Sequence, residues 1–275
     1  MGKIGTLYFE EDTFLHKLDS GIKFILFMVW TIITFMFLDI RIFACIGILG
    51  IILLYKSKIP FKTIKIMVGV MIGFNLLNSL FILLITPQYG SKLTGTYTYI
   101  IDIGYSVITL ESLFYVLTLS LKYATLLPIT LIFIFTTHPS KFASSLNKMG
   151  VPYKIAYALN IAFRYIPDIQ KEFNQIVNSQ QARGISFKKG EASVSKRVKN
   201  FTAIIMPLIT SALKRIEVVS NAMDLRGFGK HNSRTWYNYH KINKMDYLVL
   251  SISLICLLTS IYIKLNMNFN LWYPF

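Results

Sequence analysis

The sequence predicts an all-α integral membrane protein: about five transmembrane helices, plus a cytoplasmic module of one short and two long amphipathic helices. Three observations lead there. Hydrophobic residues make up 54% of the 275-residue chain and charged residues only 15%, against about 25% charged in an ordinary soluble domain. Apolar runs recur that are longer than a buried core helix needs. The formal charge of +16 is also unevenly placed: residues 137–245 hold 18 Lys+Arg against 5 Asp+Glu, a net of +13 (18 − 5). That block is flanked by apolar segments, as the positive-inside rule expects of a cytoplasmic region. The placement argues against nucleic acid as the reason for the basic balance.

Residues 1–21 are polar and mixed in charge, with Glu10, Glu11, Asp12 and Asp19, no short apolar core and no small-residue cleavage site. They read as a cytoplasmic lead-in and not a cleaved signal peptide. Residues 22–38 form a first span, Asp39-Ile40-Arg41 a tight polar turn, and residues 42–55 a short return. Lys56 and Lys58 lengthen that return by snorkelling, and Lys56, Lys58, Lys62 and Lys65 make a basic inner loop around Pro60. The third span, residues 66–85, carries Gly69 and Gly73 at GxxxG spacing together with Asn75 and Asn78. Small residues let helices approach and buried amides seek partners, either within this bundle or on a second membrane protein. Residues 86–112, with Pro87, Gly90, Gly95 and Gly104, read as a polar, aromatic outer loop. Residues 113–135 form the fourth span, kinked at Pro128, with Lys122 a snorkeller towards the outer half and not an ion site.

Residues 137–150 are a short amphipathic basic helix, and Val151-Pro152 restarts the chain. Two long helices follow, over residues 151–183 and 198–226, joined by a basic linker at 185–199. Their apolar or neutral positions step by three and four without a break: Ile155, Leu159, Ala162, Ile166, Ile169, Phe173, Ile176 and Gln180 in one, Ile205, Ile209, Ala212, Ile216, Val219 and Met223 in the other. Such seams are too continuous for helices free in water, so each is expected to pack on the other or on the membrane bundle. Pro167 and Pro207 should bend them. Residues 247–263 form a fifth span, and the uncharged tail 266–275, with Trp272 and Tyr273, suits the outer interface. The N-terminus then lies in the cytoplasm and the C-terminus outside. Three domains result: 1–136, a membrane domain of four spans; 137–245, the cytoplasmic module; and 246–275, the last span and external tail.

Both long helices end alike, as Gln181-Ala182-Arg183-Gly184-Ile185 and Asp224-Leu225-Arg226-Gly227-Phe228. Glycine followed by an apolar residue is a helix C-terminal signal: glycine takes the left-handed position and the apolar side chain folds back. Each arginine lies one step beyond its seam. One such arginine reads as a cation easing the helix dipole. Two in one chain, in the same phase and with the same sequel, read as a paired docking device.

Chemistry of other kinds is missing from the pattern. His16, His138, His231 and His240 are scattered with no HExxH, Cys45 and Cys256 stand singly in apolar runs, and there is no GxxxxGK[ST]. No catalytic, metal-binding or cofactor-binding set is therefore assigned. Acidic residues are nearly absent from the spans, which disfavours a proton-coupled carrier. If the chain serves transport that needs energy, that energy must come from outside this polypeptide. Two alternatives stand beside the reading as a paired docking device. One is an integral membrane enzyme acting on anionic lipid, against which the missing acid–base constellation speaks; the other is a conventional ABC permease subunit that binds substrate itself.

The segment Ala162-Phe163-Arg164-Tyr165-Ile166-Pro167, then Glu172, then Gln180-Gln181-Ala182-Arg183-Gly184, resembles the signature of the transmembrane (T) component of energy-coupling factor transporters, the EcfT/CbiQ family. Pro207-Leu208 through Ala222-Met223-Asp224-Leu225-Arg226-Gly227-Phe228 resembles its second signature. Thr136-Thr137-His138-Pro139, Leu146 to Pro152, and Leu15-His16-Lys17-Leu18-Asp19 fit as well, so the likeness covers nearly the whole chain. One departure stands out: the family's second tripeptide is usually Ala-Arg-Gly, and here it is Leu225-Arg226-Gly227.

The resemblance implies a cell-membrane importer of vitamins or transition-metal ions. In it this chain joins two ABC-type ATPases, which bind the ATP, to a small substrate-binding membrane (S) component. The tripeptides Ala182-Arg183-Gly184 and Leu225-Arg226-Gly227 would each dock on one ATPase. Beyond these proteins and membrane lipid, no partner is implied.

Overall fold

The structure is a computed structural model and describes residues 8–9, 11–102, 107–185, 194–231, 235–237 and 241–266. Most of the 185–199 linker, the tail beyond Asn266 with Trp272 and Tyr273, and His240 lie outside the described residues. The order of elements is α1 (Phe14–Lys17), α2 (Ser20–Met36), α3 (Ile40–Lys56), α4 (Phe61–Ile85), α5 (Tyr89–Thr94), β1 (Tyr99–Asp102), β2 (Val107–Thr109), α6 (Leu110–Thr136), α7 (Pro139–Lys148), α8 (Tyr153–Ala182), α9 (Val194–Leu225) and α10 (Lys244–Asn266). The chain divides into two compact units, one of residues 8–138 with 240–275 and the other of residues 139–239.

Among the described residues, α4, α6 and α10 are long and apolar enough to cross a membrane. Helices α2 and α3 have 17 residues each, about 26 Å at 1.5 Å per residue, slightly less than the ~30 Å hydrocarbon core. The protein is thus an all-α, multi-pass membrane protein whose short second and third helices follow one another closely in sequence and each pack on α6. Asp19 and Asp39 start the two helices, their carboxylates accepting the backbone N–H of Gly21 (2.8 Å) and Arg41 (2.9 Å).

Helix α6 is the centre of the membrane unit. Alongside it lies α3, approaching most closely at Gly50, where an added Cβ would stand 3.1 Å from Pro128 and 3.2 Å from Trp30. The Trp30 indole donates to the Thr125 carbonyl (3.2 Å), in the turn before Pro128. Close approach is therefore made on α3. At Gly69 and Gly73 on α4 an added Cβ would meet nothing within 4 Å. Asn75 of the same helix donates to the Ser120 carbonyl of α6 (3.4 Å), while Asn78 is half-buried. Lys122 is buried, its Nζ 4.8 Å from the centre of the Phe35 ring. Phe35 lies one residue before the end of α2, so Lys122 sits level with the far end of that helix.

At the other end of the bundle, the buried Lys23 donates to the Thr136 carbonyl (2.7 Å) and the His16 carbonyl (3.3 Å). One cation thereby satisfies carbonyls at the C-terminal ends of both α6 and α1, where the helix dipole is negative. Leu15 and Leu18 pack with Ile132 against Leu53, Leu54 and Val249. Asp246 at the start of α10 accepts the Asp19 N–H (3.0 Å) and the Asn243 N–H (2.8 Å).

The stretch read as an outer loop is built instead from α5 and an antiparallel hairpin, with Asp102 opposite Val107 and Tyr99 opposite Thr109. Its fastener is Glu111, fully buried at the start of α6, which accepts the Thr98 N–H (2.9 Å), the Thr98 hydroxyl (2.7 Å) and the Ser91 hydroxyl (3.3 Å). Gly90 is pressed onto the same turn: an added Cβ would lie 2.4 Å from the Glu111 carbonyl oxygen. Gly90→Ala is expected to cost about 1–3 kcal/mol or more. It should appear as a lowered melting temperature in detergent and faster proteolysis within residues 89–109.

Candidate functional site

In the 139–239 unit, three successive helices end in one backbone geometry. At the end of α8, Gly184 N–H donates to the Gln181 carbonyl (3.0 Å) and Ile185 N–H to the Gln180 carbonyl (3.0 Å). At the end of α9, Gly227 N–H donates to Asp224 (2.9 Å) and Phe228 N–H to Met223 (3.0 Å). At the end of α7, Gly150 N–H donates to Asn147 (3.1 Å) and Val151 N–H to Leu146 (3.1 Å). These are the paired 5→2 and 6→1 bonds of the Schellman motif. Its left-handed residue is Gly184 (φ 83°), Gly227 (φ 65°) and Gly150 (φ 98°).

The residue before each glycine is where the ends differ. It is Met149 at the end of α7, Arg183 at the end of α8 and Arg226 at the end of α9. The glycine and the following apolar residue are explained by chain reversal alone, and α7 reverses the same way with methionine. The arginines are thus not required by the turn. At most a cation at a helix C-terminus contributes about 0.3–1 kcal/mol when exposed. Ala182, Arg183, Gly184 and Arg226 are exposed, and Leu225 is 90% exposed despite being a large apolar residue. Gly227 is half-buried, yet an added Cβ at Gly227 or Gly184 would touch nothing within 4 Å. Gly227→Ala therefore meets only the backbone strain of a positive φ, about 1–2 kcal/mol, which a modest drop in melting temperature would register.

The α9 end is clamped. Phe228 packs against the rings of Tyr153 (5.4 Å) and Tyr157 (4.9 Å) on the first turns of α8, and the buried Tyr153 hydroxyl accepts the Gly229 N–H (2.8 Å). Further along, Arg215 pairs with Glu172 and lies over the Tyr165 ring (5.4 Å). At the far end, Gln180 Nε2 donates to the Ala203 carbonyl (3.2 Å). These contacts run in opposite chain order, so α8 and α9 are antiparallel and their arginines stand at opposite ends of the pair. With 30 residues in α8, the ends are about 45 Å apart along the axis.

Both helices continue through Pro167 and Pro207. Pro207 has no N–H to give the carbonyl four residues back, which is Ala203, and the Gln180 amide takes that place. The Glu172 carboxyl is held below its ordinary value chiefly by the Ser211 hydroxyl; burial opposes that shift, and the hydrogen bond and charge of Arg215 add to it.

The apolar seams do not form this interface. Ile166, Ile169 and Phe173 remain 36–48% exposed and Ile205, Ile209 and Ile216 47–64% exposed, while the neighbouring Ile204 is 1% exposed. The contact face is turned by about one residue, roughly 100°, where Glu172 meets Arg215; at Gln180, which donates to the Ala203 carbonyl, the end of the α8 seam joins it. Periodicity in hydrophobicity cannot find such a face. The signal available was Glu172 and Arg215, two opposite charges on long helices that are otherwise apolar on one side.

The family model for CbiQ, described as a cobalt transport protein, matches residues 11–237. The energy-coupling factor transporter transmembrane protein EcfT of Bacillus subtilis (strain 168) is 27% identical over 238 residues, 84% of this chain and 86% of that one. EcfT of Bacillus selenitireducens is 27% identical over 256 residues, covering 90% and 92%. EcfT of Lactococcus lactis subsp. cremoris is 26% identical over 271 residues, covering 94% and 97%. Apolar helices that cross a membrane, a long antiparallel pair with two arginine ends and a match along most of the sequence agree: the chain belongs to the EcfT/CbiQ family, the transmembrane proteins of energy-coupling factor transporters.

Proposed function

We propose that this protein is the coupling subunit of an ABC-type importer. Arg183 and Arg226, with Ala182, Gly184, Leu225 and Gly227 around them, each dock one of two ABC-type ATPases. ATP is bound and hydrolysed by those partners, and this chain carries no cofactor of its own. Movement of the ATPases is passed through α8 and α9 to a small membrane (S) component that holds a vitamin or a transition-metal ion. In this reading residues 137–245 are the cytoplasmic coupling module between the membrane segments 1–136 and 246–275. The N-terminus is then cytoplasmic and the C-terminus outside.

The observation that carries the proposal is the triple repeat of one helix ending with arginine at only two of the three. A guanidinium offers five donors in a fixed fork, suited to a carboxylate- or carbonyl-lined groove. Two such forks about 45 Å apart on rods joined by Glu172–Arg215 give separate holds for separate proteins. When the holds move together, the rods must shear at that joint. The half-exposed stripe of Ile166, Ile169 and Phe173 offers apolar area for the S component.

Purification from native membranes with a tag on this chain tests the reading. Two ATPases and a further small integral membrane protein are expected with it. Recovery of a homodimer with ATPases and no third membrane protein would instead mark a permease that binds its own substrate.

A further inference from the structure

A cavity of ≈ 210 Å³ opens beside the base of α8. Tyr153, Tyr157 and Asn160 line it from one face of that helix, Ser140 from the first turn of α7, and Trp236 and Tyr237 from the segment after α9. Trp236 is anchored, its indole donating to the Asn147 side chain (3.0 Å), which itself donates to the Val151 carbonyl (2.8 Å). Neither the Tyr157 hydroxyl nor the Asn160 amide hydrogen-bonds to any other described residue. The cavity thus has aromatic walls anchored at Tyr153, Tyr157 and Trp236 and, among the described residues, two polar groups without hydrogen-bond partners.

Charge identifies what it would take. Both segments that wall the cavity are free of acidic residues over long stretches, from residue 112 to 167 and from 225 to 245. Within the unit that holds the cavity they carry Lys141, Lys148, Lys154 and Lys230. Lys154 Nζ lies 3.7 Å from where a Cβ on Gly229 would stand. An anion is favoured, and size narrows it: ≈ 210 Å³ falls below the ~300–1,000 Å³ usual for whole small-molecule ligands.

In sequence the lining of the cavity is close to two helices long and apolar enough to cross a membrane: Ser140 follows the last residue of α6 by four positions, and Tyr237 precedes the first residue of α10 by seven. Tyr237 is fully exposed, and tryptophan and tyrosine are the residues that settle at headgroup level. We infer that this cavity is a binding site for the headgroup of an anionic phospholipid, with Tyr157 and Asn160 contacting its phosphate or polyol and the surrounding lysines supplying the attraction.

The test uses the full chain with Trp30→Phe and Trp272→Phe, which leaves Trp236 as the reporter. Quenching of its fluorescence is titrated with phosphatidylglycerol brominated on its acyl chains, with equally brominated phosphatidylcholine, and with inorganic phosphate. Phosphatidylglycerol is expected to quench at a mole fraction about fivefold or more below that needed for phosphatidylcholine, the weight of one or more cations at an anionic surface. Asn160→Leu, which fills the cavity, and Lys154→Gln, which alters an exposed side chain, should each shrink that preference to about twofold or less. Equal quenching by the two lipids overturns the inference. So does a preference that survives Asn160→Leu in a protein of unchanged melting temperature, since charge alone would then account for it. If Asn160→Leu does not fold, an undiminished preference in Lys154→Gln overturns it equally. Inorganic phosphate that displaces the lipid and reproduces the change in Trp236 emission would assign the site to a soluble anion.

Discussion

Replacing Arg183 and Arg226 together by alanine is expected to abolish co-purification of the ATPases and all substrate uptake, while the protein stays inserted and folded. The two halves of this expectation have separate causes. Both side chains are exposed, and the Schellman bonds at each end are backbone to backbone. Loss of either guanidinium is therefore expected to leave the turn in place, an exposed cation at a helix end being worth about 1 kcal/mol to the fold. Interface arginines, by contrast, are often worth about 2 kcal/mol or more on truncation. Each ATPase then binds about thirtyfold more weakly, and a pair of ATPases that binds as a unit loses about 4 kcal/mol, close to a thousandfold. Each single variant should retain partial binding, because the remaining end holds its own ATPase and keeps the other nearby at high effective concentration. Met149→Arg, which places the same side chain on the third matching end, is expected to recruit nothing. Tight ATPase recovery with the double variant, measured against the wild-type protein at equal expression, would remove the basis of the docking proposal.

The second large effect is expected at the joint of the two rods. Arg215 is 29% exposed and Glu172 18%, so their pair is neither a surface pair worth about 0–1 kcal/mol nor a buried one costing about 3–5 kcal/mol to break. About 2 kcal/mol lies between those limits. Glu172→Lys and Arg215→Glu, each placing like charges face to face, should loosen the α8–α9 contact and uncouple the chain. ATPases would still co-purify, since both arginine ends are intact, but uptake should fall at least about tenfold for a loss of 1.4 kcal/mol or more. The double exchange Glu172→Lys/Arg215→Glu should restore a good part of it. Singles that transport normally, or a double no better than either single, would mean that the joint transmits nothing.

Acid should weaken the same joint. The Glu172 carboxyl is lowered from its model-compound value of 4.5 by Ser211 and Arg215. A carboxyl lowered on folding contributes stability that is complete above its unfolded value and is lost as pH falls through the folded one. The stability difference between wild type and Glu172→Gln should therefore be flat from pH 7 down to about 4.5 and close at lower pH.

Much of this was legible along the chain. Glycine followed by an apolar residue foretold left-handed helix ends at residues 184 and 227, because the cause is local and lies within two residues of the end. Apolar runs foretold membrane helices for the same reason. The outer stretch was less readable, since its order depends on Glu111 reaching back to Ser91 and Thr98 across a gap that no local pattern reveals. Gly69 and Gly73 illustrate the reverse: the spacing suits close packing, but the glycine that α6 approaches is Gly50, on a different helix.

By itself, then, the sequence determined which segments are helices, which of them suit a bilayer, where the cationic ends fall and which family the chain resembles. Those properties follow from side-chain hydrophobicity and backbone preference over a few turns. Only the tertiary structure decided which face of α8 meets α9, that Gln180 serves the carbonyl freed by Pro207, and that the two arginines stand at opposite ends of an antiparallel pair. Each of these depends on groups tens of residues apart satisfying one another's charge or hydrogen bonds. That requirement turned the contact face away from the apolar stripes and left them half-exposed.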